Sequence, residues 1–491
     1  MLEIAAEQAR NDDHAPLWRG AVEAIVGAEH TSTTFADRLA YSRDRTPIAT
    51  FSFRSGRTPE TMPSAIVQPA NEAEVASLVK CANENDFPLI PYGAGSGVVG
   101  GALPLGGEVM IDLKRLDEIR TIDDVNGLVT VQAGMNGGRF EEALNRQGWT
   151  AGHYPQSMYM STVGGWAACR GAGQASSKYG KIEDIVVGLR AVMPDGEIME
   201  IRPLPRRAVG PGLRDVLVGS EGTLGIITEM TLRIWRMPEA RVPAVVAFPD
   251  LPSAWTALRE ITQTELRPEI ARLYDLAESQ ERTGRAAPFD DRPFLCVLVF
   301  AGHPDIVDAE RRLALDICTR QGAALSDDLA PYEKWKASRY QSYSPKFQAN
   351  NYFMDTIEIT GNWTELPALY EEIGGAIRAL HPDAHFGAHW SHVYPEGACQ
   401  YMTVRFPALS DEEGLRLHKE AWRKAQSICL AKGGSISHHH GAGSFRNPWL
   451  PEELGHGHSV LQAIKDALDP NNICNPGKLA LRQRGKSKAQ S

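Results

Sequence analysis

The sequence predicts an α+β protein of two domains, and three observations carry that expectation. Its 491 residues exceed what a single hydrophobic core usually serves, given roughly 150 residues per domain. Its composition, 43% hydrophobic and 23% charged with 45 Gly and 31 Pro, is that of a globular chain rich in turns and excludes disorder or a collagen-like repeat. Near Pro238 to Pro252 the texture changes, from a Gly-rich half of short strands to a half of longer amphipathic helices.

From Ile66 to Tyr92 the pattern is strand, helix, strand. Asn71 with Glu74 is a capping-box signature, and Val75, Leu78, Val79 and Ala82 recur on one helix face. Short strands are expected at 108–113, 127–133, 184–194 and 197–201, broken by turn residues such as Pro194-Asp195-Gly196, with a helix near 137–147. In the second half, helices at 253–264, 304–321, 365–380 and 411–431 alternate with strands such as 294–301 and 400–407. The turn Asp469-Pro470-Asn471-Asn472 ends the last helix near 468, and no internal repeat is visible.

A net charge of −10 repels a phosphate backbone and argues against nucleic acid as a partner. Seven Cys, at 81, 169, 296, 318, 399, 429 and 474, form no C-x-x-C pair and are expected to be reduced, mostly buried thiols. The N-terminus lacks the basic and apolar regions of a signal peptide, and no run of about 18 apolar residues occurs, so a soluble, cytoplasmic protein is expected. The basic tail from Arg482 to Ser491 reads as a frayed end, which leaves at most peripheral contact with a membrane.

Three Gly-centred segments stand out. Pro91-Tyr-Gly93-Ala94-Gly95-Ser96-Gly97-Val-Val-Gly100-Gly101 contains G-x-G-x-x-G, but Pro104, Gly106 and Gly107 lead into a strand where a Rossmann site needs a helix. What remains is a run of side-chain-free residues whose backbone amides can form a nest for a pyrophosphate. The second segment is Ser161-Thr162-Val-Gly164-Gly165 with Tyr179-Gly180, and the third is Gly219-Ser-Glu221-Gly222-Thr-Leu-Gly225-Ile-Ile227.

Together these segments resemble the flavin-binding segments of the vanillyl-alcohol oxidase and p-cresol methylhydroxylase (PCMH) superfamily. The resemblance implies a PCMH-type FAD-binding domain over 1–240 and a cap domain for substrate, of the C-terminal FAD-linked oxidase kind, over 241–440. The segment Asp469 to Lys478 resembles the superfamily's closing stretch, so residues 441–491 are expected to return to the FAD domain. Some members attach FAD through a His beside the first Gly loop. Ser55-Gly56 and Pro91–Gly101 offer none, so FAD is expected to be held non-covalently.

His438-His439-His440 lies in Gly433-Gly-Ser-Ile-Ser-His-His-His-Gly-Ala-Gly443. Composition alone gives such a run in roughly one chain in a hundred, so the tract is read as selected for chemistry. Imidazoles suit proton transfer, and grouped together they depress one another's pKa. This tract resembles that of the alkyldihydroxyacetonephosphate synthase branch, as do Ser161–Trp166, Tyr179–Asp184 and Gly397–Tyr401. The resemblance implies that Tyr401 is the catalytic tyrosine, that His438, His439 and His440 act beside it, and that Arg272 orients an anion. A strand-core Tyr401 and a surface ion-paired Arg272 are the alternatives. The implied reaction exchanges an acyl for an alkyl group through a flavin N5 adduct with no net redox change. The alternative is a FAD-linked oxidase or dehydrogenase acting on a hydroxy acid or alcohol. The substrate is expected to be a small, lipid-like molecule and the protein a homodimer.

The branch places a basic residue after the His tract, where this chain has Ser444-Phe445-Arg446, and another cation between Trp335 and Trp363, where Arg339 and Lys346 are the candidates. Related 2-hydroxy-acid dehydrogenases carry a His-based metal site, and His385, His389 and His392 could join His439 in one. They pair two His six residues apart and add a Glu where this chain has His439. With that pattern broken, no metal is predicted.

Overall fold

The computed structural model describes residues 16–54, 56, 59–284, 291–341, 352–408 and 410–484. Ser55, Lys346 and the tail beyond 484 lie outside the described residues.

The first sheet orders its strands Thr31–Ser32, Ala65–Val67, Val109–Asp112, Leu89–Tyr92, the last three parallel. The helix Glu72–Asn85 crosses between two of them. Asn71 Oδ1 accepts Glu74 N–H at 3.0 Å while the Glu74 carboxylate reaches back to Ala70 N–H at 2.7 Å. Val75, Leu78, Val79 and Ala82 are fully buried against the sheet, the face the periodicity predicts. A second, antiparallel sheet runs Ile119–Asp123, Leu128–Gln132, Ile226–Arg233, Val186–Val192, Ile198–Ile201. The stretch expected as one strand from 184 begins as a helical turn, Ile182–Ile185, because Asp184 takes the Lys181 amide and caps it.

The second half is one antiparallel sheet of seven strands, in the order Ala324–Ser326, Ala240–Phe248, Phe294–Gly302, Ile270–Tyr274, His385–Val393, Gly397–Pro407, Tyr352–Asn362. The helices Leu251–Gln263, Pro304–Arg320, Leu366–Arg378 and Asp411–Ala431 share one core with it, through Trp255, Ile317, Ile373 and Trp422 against Phe300, Trp390, Met402 and Ile357. Because side chains alternate along a strand, the residues between those core positions face the other way. Val297, Val299, Ile270 and Tyr274 pack there with Val129, Trp166 and Met230 of the first half.

After the helix His456–Leu468 the chain returns to the first sheet. Leu89 N–H donates to Ile473 O at 2.7 Å and Asn475 N–H to Leu89 O at 2.8 Å. The fully buried Lys465 ammonium ties the turn by donating to Thr223 O, Cys474 O and the Asp469 carboxylate.

Candidate active site

The first Gly-rich loop leaves the strand Leu89–Tyr92 and lies on the segment before helix Pro47–Arg54. Arg45 N–H donates to Gly97 O and Gly100 N–H to the buried Asp44 carboxylate, each at 2.9 Å. Gly95 has φ +63°, and a Cβ there would lie 2.2 Å from the Tyr92 hydroxyl, so only glycine fits. Among the described residues, the amides of Ala94, Gly95, Ser96 and Gly97 donate to no protein acceptor. Four successive amides without partners form a cradle suited to an anion such as a pyrophosphate. Pro91 and Gly93 frame the loop, Pro91 against Gly222 and Gly93 against Thr162, whose Oγ1 would be 2.3 Å from an added Cβ.

Thr162 caps the helical turn Val163–Ala168 by accepting Gly165 N–H at 3.3 Å, Ser161 Oγ accepts from Trp166 Nε1 at 2.8 Å, and Gly164 packs on Ala133. Tyr179 packs on Trp235 and Gly152, and Gly180 follows it. The Glu221 carboxylate accepts the amides of Ala442 at 2.7 Å and Gly443 at 3.0 Å, fastening its loop to the turn after the His tract. Gly225 leads into the strand Ile226–Arg233, where Ile227 is buried.

The cap-domain sheet supplies the reactive side chains. On the face opposite its helices, register sets Tyr274 beside His389, His389 beside Tyr401, and Tyr401 beside Glu358, a row crossing four strands. The rings of Tyr401 and His389 stack at 4.9 Å, and the Tyr401 hydroxyl donates to Thr356 Oγ1 at 3.0 Å. Burial, with the Asp355 and Glu358 carboxylates nearby, pushes this phenol above its usual range, so it is protonated at neutral pH. Arg272, two residues before Tyr274 and so on the same face, donates from Nε to the Tyr274 hydroxyl at 2.9 Å and from Nη2 to His389 Nε2 at 2.8 Å. A guanidinium only donates, so His389 Nε2 must accept, and its Nδ1–H goes to Glu278 at 2.9 Å. Burial and Arg272 pull His389 down to about 4, which keeps that ring neutral.

Beyond the edge strand Tyr352–Asn362, Ser435 pairs with Thr360 and starts the loop carrying the tract. Glu358, fully buried, anchors that loop: it accepts the amides of His438 and His440, the Ser437 hydroxyl at 2.9 Å and Arg446 Nη2 at 3.1 Å. Burial opposes its charge, but Arg446 and these donors outweigh that and hold it below the usual carboxylate range. The loop thereby sets His439 and His440 at 6.0 and 5.6 Å, ring to ring, from Tyr401. His438 Nδ1 lies 3.0 Å from His439 Nδ1, and His438 Nε2 lies 3.0 Å from the Tyr394 hydroxyl. Burial first, then neighbouring imidazoles and Lys181, keep His438 and His439 far below their ordinary pKa.

The structure therefore brings Tyr401, Arg272, His438, His439 and His440 to one place, neither in the strand core nor on the surface. It separates the other histidines. His385 sits by Glu281 at 3.7 Å and His389 is held by Arg272 and Glu278, while His392 joins the tract. By distance alone, His392, His438 and His439, or Glu358, Cys399 and His439, could hold a metal ion. Glu358, Tyr394, Ser176 and His153 were invisible to sequence reasoning. His153, buried against Trp166 at 4.7 Å, has no hydrogen-bond partner on either ring nitrogen. The only sequence signal for Glu358 is that a charged residue interrupts an apolar strand pattern.

The unpartnered amide cradle on the first half and the polar row on the sheet of the second are the parts expected of a two-domain flavoenzyme. Residues 63–202 match the family described as FAD binding domain, and residues 237–479 match that described as FAD linked oxidases, C-terminal domain. The chain belongs to this FAD-linked oxidase family, with FAD as its cofactor. It is 32% identical to alkyldihydroxyacetonephosphate synthase of Dictyostelium discoideum, across 85% of this chain and 73% of that protein. It is 31% identical to an uncharacterized FAD-linked oxidoreductase of Escherichia coli K12 or O157:H7, across 93% of this chain and 96% of that one. It is 25% identical to a glycolate oxidase subunit of Bacillus subtilis, across 93% and 95%. A solved alkyldihydroxyacetonephosphate synthase superposes with a TM-score of 0.78 at 26% identity, covering 94% of this chain and 85% of that one. p-Cresol methylhydroxylase shares the fold with a TM-score of 0.75 at 17% identity, covering 97% of each chain. Among the described residues no helix is long and apolar enough to cross a membrane.

Proposed function

We propose that this enzyme replaces the acyl group of an acylated dihydroxyacetone phosphate with a long-chain alkyl group, with no net redox change. The observation that carries this reading is the meeting of one phenol, one guanidinium and four imidazoles in the row Arg272–His389–Tyr401 and the loop His438–His440. When bound, non-covalently on this reading, FAD supplies the electrophilic ring system of the reaction. The cradle Pro91–Gly97 holds its pyrophosphate, with Ser161, Thr162, Gly164, Gly165, Tyr179, Gly180, Glu221, Gly222, Gly225 and Ile227 shaping the rest of that site. Tyr401 moves the proton of the substrate carbon, and His439, neutral in its buried setting, is the base that makes a protonated phenol able to do so. Arg272, made rigid by Tyr274 and His389, orients an anionic group. The substrate is lipid-like and the enzyme a homodimer on this reading.

One observation favours a second reading, oxidation of an unphosphorylated hydroxy acid or alcohol. Ser444 Oγ donates to Gly100 O at 3.3 Å, and Arg446 is fully buried on Glu358, so neither residue after the tract turns to a substrate phosphate. The two readings differ in electron count. Anaerobic mixing of the holoenzyme with acyl-dihydroxyacetone phosphate and a fatty alcohol is expected to release fatty acid and to end with the oxidised flavin absorbance band intact. Lasting anaerobic bleaching by a 2-hydroxy acid or an alcohol, without fatty acid release from the first mixture, would replace the first reading by the second.

A further inference from the structure

A hydrogen-bonded chain runs from the His tract across the domain boundary into the flavin domain. His439 Nδ1 meets His438 Nδ1 at 3.0 Å, and His438 Nε2 meets the Tyr394 hydroxyl at 3.0 Å. The Tyr394 hydroxyl meets Ser176 Oγ at 3.1 Å, and Ser176 Oγ meets His392 Nδ1 at 2.7 Å. Ser176 and His392 are buried, and Tyr394 is half-buried. The backbone is distorted to complete the chain. Strand alternation would turn His392 with Trp390 toward the helices, but the ladder with Gly397–Pro407 slips between Ser391 and Val393, and His392 takes φ +56°. Such a bulge re-aims one side chain, and a non-glycine residue in that region persists only where its surroundings over-determine it.

We infer that His392, Ser176, Tyr394 and His438 form a proton relay that returns His439 to neutrality after it has accepted a proton. The inference rests on the assignment of His439 to proton transfer in the proposed reaction. Every member of the chain can both give and take one proton, so the tautomers are linked. Glu358 Oε2, 3.9 Å from His439 Nδ1, favours the proton on that nitrogen. The resting order is then His439 Nδ1–H to His438 Nδ1, His438 Nε2–H to Tyr394, Tyr394 O–H to Ser176, and Ser176 O–H to His392 Nδ1. When His439 Nε2 takes a proton, that ring becomes an imidazolium. Shifting one proton along each of the four hydrogen bonds leaves His439 neutral with its proton on Nε2 and makes His392 the imidazolium. No electron moves and no proton is lost.

Lys181 Nζ donates to His438 O at 2.6 Å, and with Arg446 it repels a charge left on His439. His392 is also buried near cations, Arg272 and Lys181, so its imidazolium is transient, and the relay lends the proton out and takes it back within a turnover. Tyr394 and Ser176 touch neither substrate nor flavin in this scheme and are positioning residues.

The test uses the FAD-loaded enzyme. Tyr394→Phe is expected to lower kcat about 10- to 100-fold with KM within twofold and full FAD content. In mixtures of H₂O and D₂O, the curved dependence of wild-type kcat on deuterium fraction, the mark of several protons in flight, is expected to become linear. Should Tyr394→Phe lose its flavin, Ser176→Ala cuts the same chain and is expected to give the same pair of changes. A variant with lowered kcat and an unchanged curve would overturn the relay. A second measurement needs no substrate, so it stands even if the synthase reading fails: ¹⁵N NMR of histidine-labelled holoenzyme. His438 and His439 are expected to be neutral single tautomers that change together in Tyr394→Phe. Unaltered tautomers, or one equivalent of bound transition metal occupying the ring lone pairs in purified wild type, would equally refute it.

Discussion

The rings of Tyr401 and His439 lie 6.0 Å apart, centroid to centroid, and the proposed proton transfer runs between these two residues. The Tyr401 hydroxyl donates to Thr356, and its ring lies between those of His389, His439 and His440. Tyr401→Phe keeps the stacked ring and removes the proton, and His439→Ala removes the base while Glu358 still holds the loop through His438, His440 and Ser437. Each is expected to lower turnover at least about 10²-fold with FAD retained, as measured by steady-state rate and the ratio of flavin to protein absorbance. Wild-type turnover in either variant, or loss of flavin, would remove that residue from the proposed chemistry. Arg272 differs in kind. Its two donors are committed to Tyr274 and His389, so its remaining Nη1 face is what an anion would meet.

At the scale of elements, the two domains are joined by short loops rather than by an interlocked core alone. Gly443 has φ +56° and lies against the first Gly loop, where an added Cβ would be 2.1 Å from Val99 O. Its amide is held by Glu221, and its carbonyl accepts Leu479 N–H at 3.0 Å. Gly443→Ala must therefore move the Val99 backbone and with it the cradle at 94–97, so weaker FAD retention is expected without loss of the cap-domain sheet. Flavin fluorescence released on gel filtration, beside an unchanged circular dichroism spectrum, checks this. Equal retention would show that the cradle does not depend on the return segment.

What the sequence discloses at this scale follows from the range of the interactions. Helix caps and apolar faces are local, so Asn71 to Ala82 could be read from spacing alone, and the Gly segments could be read because a backbone that must approach an anion cannot carry side chains. The row Tyr274–His389–Tyr401–Glu358 depends on the register of strands up to 127 residues apart, from 274 to 401, and no local pattern encodes register. Of the strands that build it, only 400–407 was expected. The bulge at His392 likewise has no signature in Trp390-Ser391-His392-Val393, which reads as ordinary strand, and Glu358 is one acidic residue among 61 Asp and Glu.

For the whole molecule, the burial that keeps the site's imidazoles neutral predicts how the fold answers to acid. Burial pulls His153 to about 3 and His389 to about 4, and pulls His392, His438, His439 and His440 down as well. The unfolded chain protonates all six near pH 6.5, whereas burial resists this in the folded chain, so each ring costs stability as pH falls below 6.5, at up to about 1.4 kcal/mol per pH unit down to about pH 4 for His389 and about pH 3 for His153. Three buried carboxylates act in the opposite sense. Burial raises Asp44 to about 6 and Asp275 to about 7, and raises Glu221 too, so the folded chain takes up their protons first and gains stability on acidification. Six lowered rings against three raised carboxylates leave the histidines in excess, so the net effect of acid is to destabilise the fold. Urea unfolding of the holoenzyme at fixed pH is expected to show a midpoint that falls steadily from pH 6.5 to 4.5, with FAD released at the same midpoint because the cradle and the histidine loop share the Glu221 and Gly443 contacts. A midpoint that stays level or rises over that range would mean that the raised carboxylates match or outweigh the rings, and the predicted excess of the histidines would be wrong.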